Sequence, residues 1–126
     1  MPPLFLVMLG GAIGAGFRYH IGRVALFNLG PGFPWGTWIV NLLGGFLMGI
    51  LAGTLVRDPS QAGEQLRLFL GVGVLGGFTT FSAFSLETFN MLARGEHVTA
   101  AAYAVSSVAG SVVLLIVGFY LARGFA

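Results

Sequence analysis

Four uncharged stretches dominate this chain, and they leave few folds open to it. They run from Leu4 to Phe17, lengthened past Arg18 to about Phe27, then Trp35 to Val56, Leu68 to Leu86, and Val98 to Ala122. Each can supply the roughly 20 residues that cross a hydrocarbon layer about 30 Å thick. Backbone in lipid has no water to bond with, so such segments become helices. Hydrophobic residues fill 56% of the 126 positions and charged residues only 8%, against the roughly 25% charged fraction of a soluble domain. A soluble domain is therefore excluded. No basic n-region or clear cleavage site precedes Leu4, so the first stretch is expected to be retained as a helix.

The connections follow from their breakers. Asn28 to Pro34 is a Gly/Pro turn, Arg57 to Arg67 a polar loop and Arg94 to His97 a tight turn. The expected fold is an all-α integral membrane protein, one four-helix transmembrane domain over residues 1–126, each helix antiparallel to the next. Short connections leave no room for an extramembrane domain. The chain has no cysteine, hence neither disulfides nor thiolate metal ligands. A net charge of +2 is too small to argue for a nucleic-acid partner.

Lys and Arg asymmetry normally sets membrane orientation. Here there is no lysine; Arg57, Arg67 and Arg123 fall on one side, and Arg18, Arg23 and Arg94 on the other. Three against three predicts insertion in both orientations, which opens antiparallel pairing of two copies.

Glycine placement carries a second message. Gly45, Gly49 and Gly53 recur along the second helix, and Gly10 and Gly14 along the first. Small faces let helices approach closely, within one unit or between two chains. In the third span, Gly76-Gly77 followed by Thr79-Thr80 is poor material for a regular helix. Discontinuous helices are where transport proteins build ion sites, so a break is expected near Gly76 to Thr80. A branched residue at Gly76 is expected to oppose the backbone geometry there. Gly71, Gly73 and Gly76 also match a GxGxxG spacing, but without the βαβ unit that motif requires.

No catalytic set is present, and an enzyme is not expected. His20 and His97 lie near the membrane interfaces without metal-ligand spacing. The spans instead offer uncharged donors and aromatic edges. Asn41 has Thr37 one turn before it, Tyr103, Ser107 and Ser111 form a hydroxyl stripe, and Thr79, Thr80, Ser82 and Ser85 cluster beside Phe81 and Phe84. Hydroxyls and amides donate to a dehydrating anion, and a phenylalanine ring presents a positive edge. Together they could pass a small anion without a fixed charge to trap it. Taken singly, each has a duller role in helix packing. Arg18 and Glu87 could snorkel or pair with another charge, and Arg18 could concentrate anions at a pore mouth.

At these residues the sequence resembles the Fluc fluoride channels, also called the CrcB family. The resemblance rests on four blocks in order: Gly11-Ala12-Ile13-Gly14-Ala15 with Arg18-Tyr19; Pro34-Trp35-Gly36-Thr37 with Val40-Asn41; Gly76-Gly77-Phe78-Thr79-Thr80-Phe81-Ser82 with Phe84; and the Tyr103, Ser107, Ser111 stripe. It implies a fluoride-selective channel in the plasma or inner membrane of a prokaryote, passing cytoplasmic fluoride passively down its gradient. It also implies an antiparallel, dual-topology homodimer in lipid with two pores. Asn41, Phe81, Phe84, Thr80, Ser82, Tyr103, Ser107 and Ser111 would line the fluoride pore, with Arg18 in the vestibule. A structural sodium ion on the dimer axis would be held by the backbone carbonyls of Gly76 and Thr79. Two positions depart from the family pattern: Ala83 stands where a Thr is usual, and the stripe ends at Leu115. The alternative is a proton-coupled exporter of the small multidrug type, which needs a membrane-embedded carboxylate that the first helix lacks. A structural or assembly subunit without transport is a third reading, disfavoured by the polar stripes.

Overall fold

The computed structural model describes residues 2–56 and 60–124. Four spans are long and apolar enough to cross a membrane: Pro3–Leu29, Trp35–Leu55, Gln61–Ala93 and His97–Gly124. Among the described residues there is no strand. The spans exceed the uncharged stretches because their ends run on through polar residues. The first helix reaches Leu29, where Gly30 ends it at φ +81°, and Gly95 makes the last turn at φ +80°; both are left-handed conformations that glycine adopts without steric cost. The polar connection after the second helix is shorter than expected. Its Gln61–Leu66 part is already helical, capped by Ser60, whose side chain accepts the Gly63 amide. Arg57, counted in the arginine balance, lies outside the described residues.

Glycine sets the packing. The second and fourth helices make the most extensive contact. A side chain at Gly45 would strike Ser111, at Gly49 the Leu115 carbonyl, and at Gly53 the Phe119 carbonyl. This stripe, open to either reading in the sequence, therefore packs within the chain. The first helix lies on the third span in the same way. A Cβ on Gly10 would meet the Phe69 carbonyl, one on Gly14 the Val74 carbonyl, and one on Gly77 the Gly11 carbonyl at 2.5 Å. Backbones this close gain dispersion contacts that larger residues would forbid, the main attraction left to helices in lipid.

The third span is irregular in two places. Arg67–Leu75 forms a π-helical segment, a form that is rare and concentrated at functional sites. Gly76–Phe78 returns to an α-turn, and the helix then stops before restarting over Ser82–Ala93. The break is narrower and later than expected. Gly76 is itself helical, at φ −62° and ψ −39°, whereas Thr79 is extended at φ −82° and ψ 160°. A Cβ on Gly76 would have its nearest contact with the Gly71 carbonyl at 3.7 Å. The expectation that a branched residue at Gly76 opposes the local backbone is thus incorrect: the glycine pair serves packing on the first helix, through Gly77, and not the turn.

Candidate functional site

The interruption at Thr79 to Phe81 is mended by side chains from other helices and by its own threonines. In a continuous helix the Thr80 N–H would go to the Gly76 carbonyl. Here it goes to Asn41 Oδ1 at 2.9 Å, and Asn41 Nδ2 returns a bond to the Thr80 carbonyl at 3.1 Å. Likewise the Ala83 N–H, which would serve the Thr79 carbonyl, is taken by Thr80 Oγ1 at 3.2 Å. The Gly76 and Thr79 carbonyls each lose the amide that an unbroken helix would give them. Thr79 Oγ1 donates back to the Leu75 carbonyl at 3.0 Å. Arg18 reaches across from the first helix, its Nε donating to the Gly77 carbonyl at 3.1 Å. A guanidinium there also offsets the negative end of the preceding helical segment.

Beside the break runs a groove of about 370 Å³ between the second, third and fourth spans. Asn41 and Thr79, Thr80, Phe81 and Phe84 line it, together with Ser107 and Ser111 from the fourth helix. The Phe81 and Phe84 rings lie 5.7 Å apart, and Phe84 sits 5.2 Å from the ring of Tyr103. Phe81 is 77% exposed, so the groove lies open along this face of the protomer. Two hydroxyls are unusual. Tyr103 is fully buried and Ser107 nearly so; Ser107 Oγ has no hydrogen-bond partner among the described residues, while Tyr103 Oη, without a well-formed bond, lies beside the Thr37 side chain. Most buried polar groups are paired, and an unpaired one costs about 1–3 kcal/mol. Ser111, the third of the stripe, donates to the Asn41 carbonyl at 3.2 Å.

Not every expected residue joins the groove. Ser82 is exposed and 3.5 Å from Thr80 Oγ1, beside the lining and not in it. Gly76 faces the protomer surface. Arg18 is occupied at the break, a positioning contact that the expected vestibule role does not include. Glu87 forms no ion pair among the described residues; its carboxylate accepts the Thr37 hydroxyl at 2.5 Å. Both residues line a second cavity, of about 320 Å³, beneath the turn between the first two helices. Phe33, on that turn, packs edge-on against Tyr103 at 5.3 Å, and nothing in its sequence context marked it out. The Thr37 and Glu87 pairing had one visible sign, since Thr37 shares a helix face with Asn41.

The family model described as CrcB-like protein, Camphor Resistance (CrcB) matches residues 5–119. A fluoride-specific ion channel FluC of Novosphingobium aromaticivorans is 55% identical over 122 residues, covering 95% of both chains. Its counterparts of the same name in Sphingopyxis alaskensis and Caulobacter vibrioides are 50% and 47% identical, each over 98% of this chain and 97% of their own length.

Proposed function

This chain belongs to the CrcB family, and from that membership we propose that it is a fluoride channel, a multi-pass membrane protein of a prokaryote that lets cytoplasmic fluoride leave down its gradient. One observation carries the reading beyond the names of its relatives. A buried hydroxyl, that of Ser107, stands unpartnered in a groove lined by phenylalanines. A protein interior does not keep unsatisfied donors without a cost, and a small anion shedding its water is a fitting acceptor for them.

The groove residues divide the work of replacing water. Asn41 Nδ2 has two hydrogens and gives one to the Thr80 carbonyl, leaving one N–H for the anion. The rims of Phe81 and Phe84 offer the positive part of the ring quadrupole. Ser111, bonded to the Asn41 carbonyl, stands at the Asn41 end with Thr80 and Ser82 nearby, and Ser107 and Tyr103 follow along the fourth helix. None of these groups carries a full charge, so the anion meets no deep electrostatic trap in a low-dielectric interior. A carboxylate for proton-coupled export would have to be Glu87, which lines the other cavity and not the groove.

The working unit in this reading is an antiparallel homodimer with two such paths. The balanced arginines and the open groove support it, since a single protomer leaves Phe81 uncovered. A structural sodium ion fits the same assembly. Among the described residues no three His, Asp or Glu side chains come together, so a cation would rest on backbone oxygens. The Gly76 and Thr79 carbonyls are among those the break leaves without their helical donors, which bond Asn41 and Thr80 side chains instead. Two protomers related by a twofold axis would bring four such oxygens, and the bound ion would supply positive charge between the half-helices.

The test is ion release from liposomes containing the purified protein. Fluoride should leave rapidly once the membrane potential is shunted, and chloride should remain inside. Retention of fluoride, or equal release of both halides, would refute the reading.

A further inference from the structure

Among the described residues, Glu87 is the one side-chain carboxylate without a cation. Glu64 is paired with Arg67 and Glu96 with Arg94, whereas Glu87 accepts the Thr37 hydroxyl on Oε1 and bonds nothing through Oε2. It is partly buried, in the wall of the cavity beneath the turn between the first two helices. An ionised group taken out of water without a partner is costly, and a carboxylate within a membrane span calls for a partner from elsewhere.

The polar groups of this cavity come in an order. Glu87, Asn90 and Arg94 recur at helical spacing along one face of the third span, and all three line the cavity. Seven residues of helix carry Arg94 about 10 Å beyond Glu87, toward the turn at Gly95. Arg94 bonds Glu96 through Nε and Nη2, which leaves Nη1 without a partner among the described residues. The cavity thus offers an acceptor at its inner end and a donor at its outer end. A ligand that fits carries a cation ahead of an anion.

The position of the cavity identifies the carrier. It lies where the spans end, near Leu29, Trp35 and Ala93. That is the level of the lipid headgroups, and Trp35 in its wall is a residue type of the membrane interface. Leu26 borders the cavity and is 57% exposed, an apolar flank for an acyl chain.

We infer that this cavity seats the headgroup of a phospholipid bearing a primary ammonium, the ammonium donating to Glu87 Oε2 and the phosphate accepting from Arg94. Charge-assisted bonds at both ends fix the headgroup's direction, and the Asn90 amide between them has donors and an acceptor to offer. The inference uses the membrane location and not the passage of fluoride, so it is independent of the channel reading.

Lipid titrations of the delipidated protein in detergent micelles test it, with the melting temperature as readout. The probes are dioleoyl phosphatidylethanolamine, dioleoyl phosphatidylcholine and free phosphoethanolamine. Phosphatidylethanolamine should raise the midpoint by several degrees and saturate; phosphatidylcholine, whose quaternary ammonium has no N–H, should give less than half that shift. Free phosphoethanolamine, lacking acyl chains, should do little at the same concentration. Glu87→Gln should erase the difference between the two lipids, and Arg94→Gln should weaken the response to both. Equal responses of the parent to the two lipids overturn the inference, as does a preference that survives in Glu87→Gln. A full response to free phosphoethanolamine overturns the lipid as carrier. If Glu87→Gln does not fold, the parent's choice between the lipids and the loss in Arg94→Gln decide.

Discussion

Asn41 has two claims on its single carboxamide, and they predict different things. Its paired bonds to the Thr80 backbone make it a brace for the break, while the residue also lines the groove with one N–H to spare. Asn41→Asp places a carboxylate oxygen against the Thr80 carbonyl, so stability should fall by about 1–3 kcal/mol and fluoride efflux should collapse. Asn41→Ser removes the fork altogether and should also lose most of its flux, because Ser is too short to replace both bonds. Retained efflux in the Ser variant, measured in liposomes with the detergent melting temperature alongside, would show that the brace is dispensable. Ser107 makes the opposite case. Its hydroxyl is buried and unpaired, so Ser107→Ala should raise stability by up to about 1 kcal/mol while slowing efflux. A variant that loses stability would mean that the hydroxyl is a structural bond donor. Residue identities in this site were legible in the sequence because polar groups in hydrocarbon are expensive and few. What each one bonds was not: the Arg18 contact with Gly77, the Asn41 fork and the Thr37 to Glu87 bond join residues 59, 39 and 50 positions apart, and no local pattern carries that information.

Among the elements, the four spans were visible from apolar length alone, since the bilayer fixes a minimum that each stretch meets. The third span was legible only in outline. Gly76-Gly77 drew attention as the weak point, yet a glycine pair in a membrane helix is as useful for close approach as for bending, and here it serves approach. The helix stops at Thr79, and Asn41 and Thr80 take amides that the preceding turn no longer holds. The two glycines should therefore respond differently to one added methyl. Gly77→Ala drives a Cβ into the backbone of Gly11 and should cost about 1–3 kcal/mol. Gly76→Ala has room within the protomer and should leave its fold intact. Thermal melts of both variants check this, and equal losses would count against the packing assigned to Gly77.

For the molecule as a whole, balanced arginines predict that reporters fused to the C-terminus are active on both sides of the membrane. A signal on one side only would rule out the antiparallel dimer. The mended break has a consequence for biogenesis. Outside its fold, the third span would enter lipid with interrupted backbone bonding, and each unsatisfied group there costs several kcal/mol. The groups that mend it, Arg18 and Asn41, lie on the first and second helices. Because a chain is made from its N-terminus, both leave the ribosome ahead of the segment that needs them. The order of synthesis thus furnishes the third span with waiting partners, and a permuted gene that delivered it first would be expected to stall at insertion.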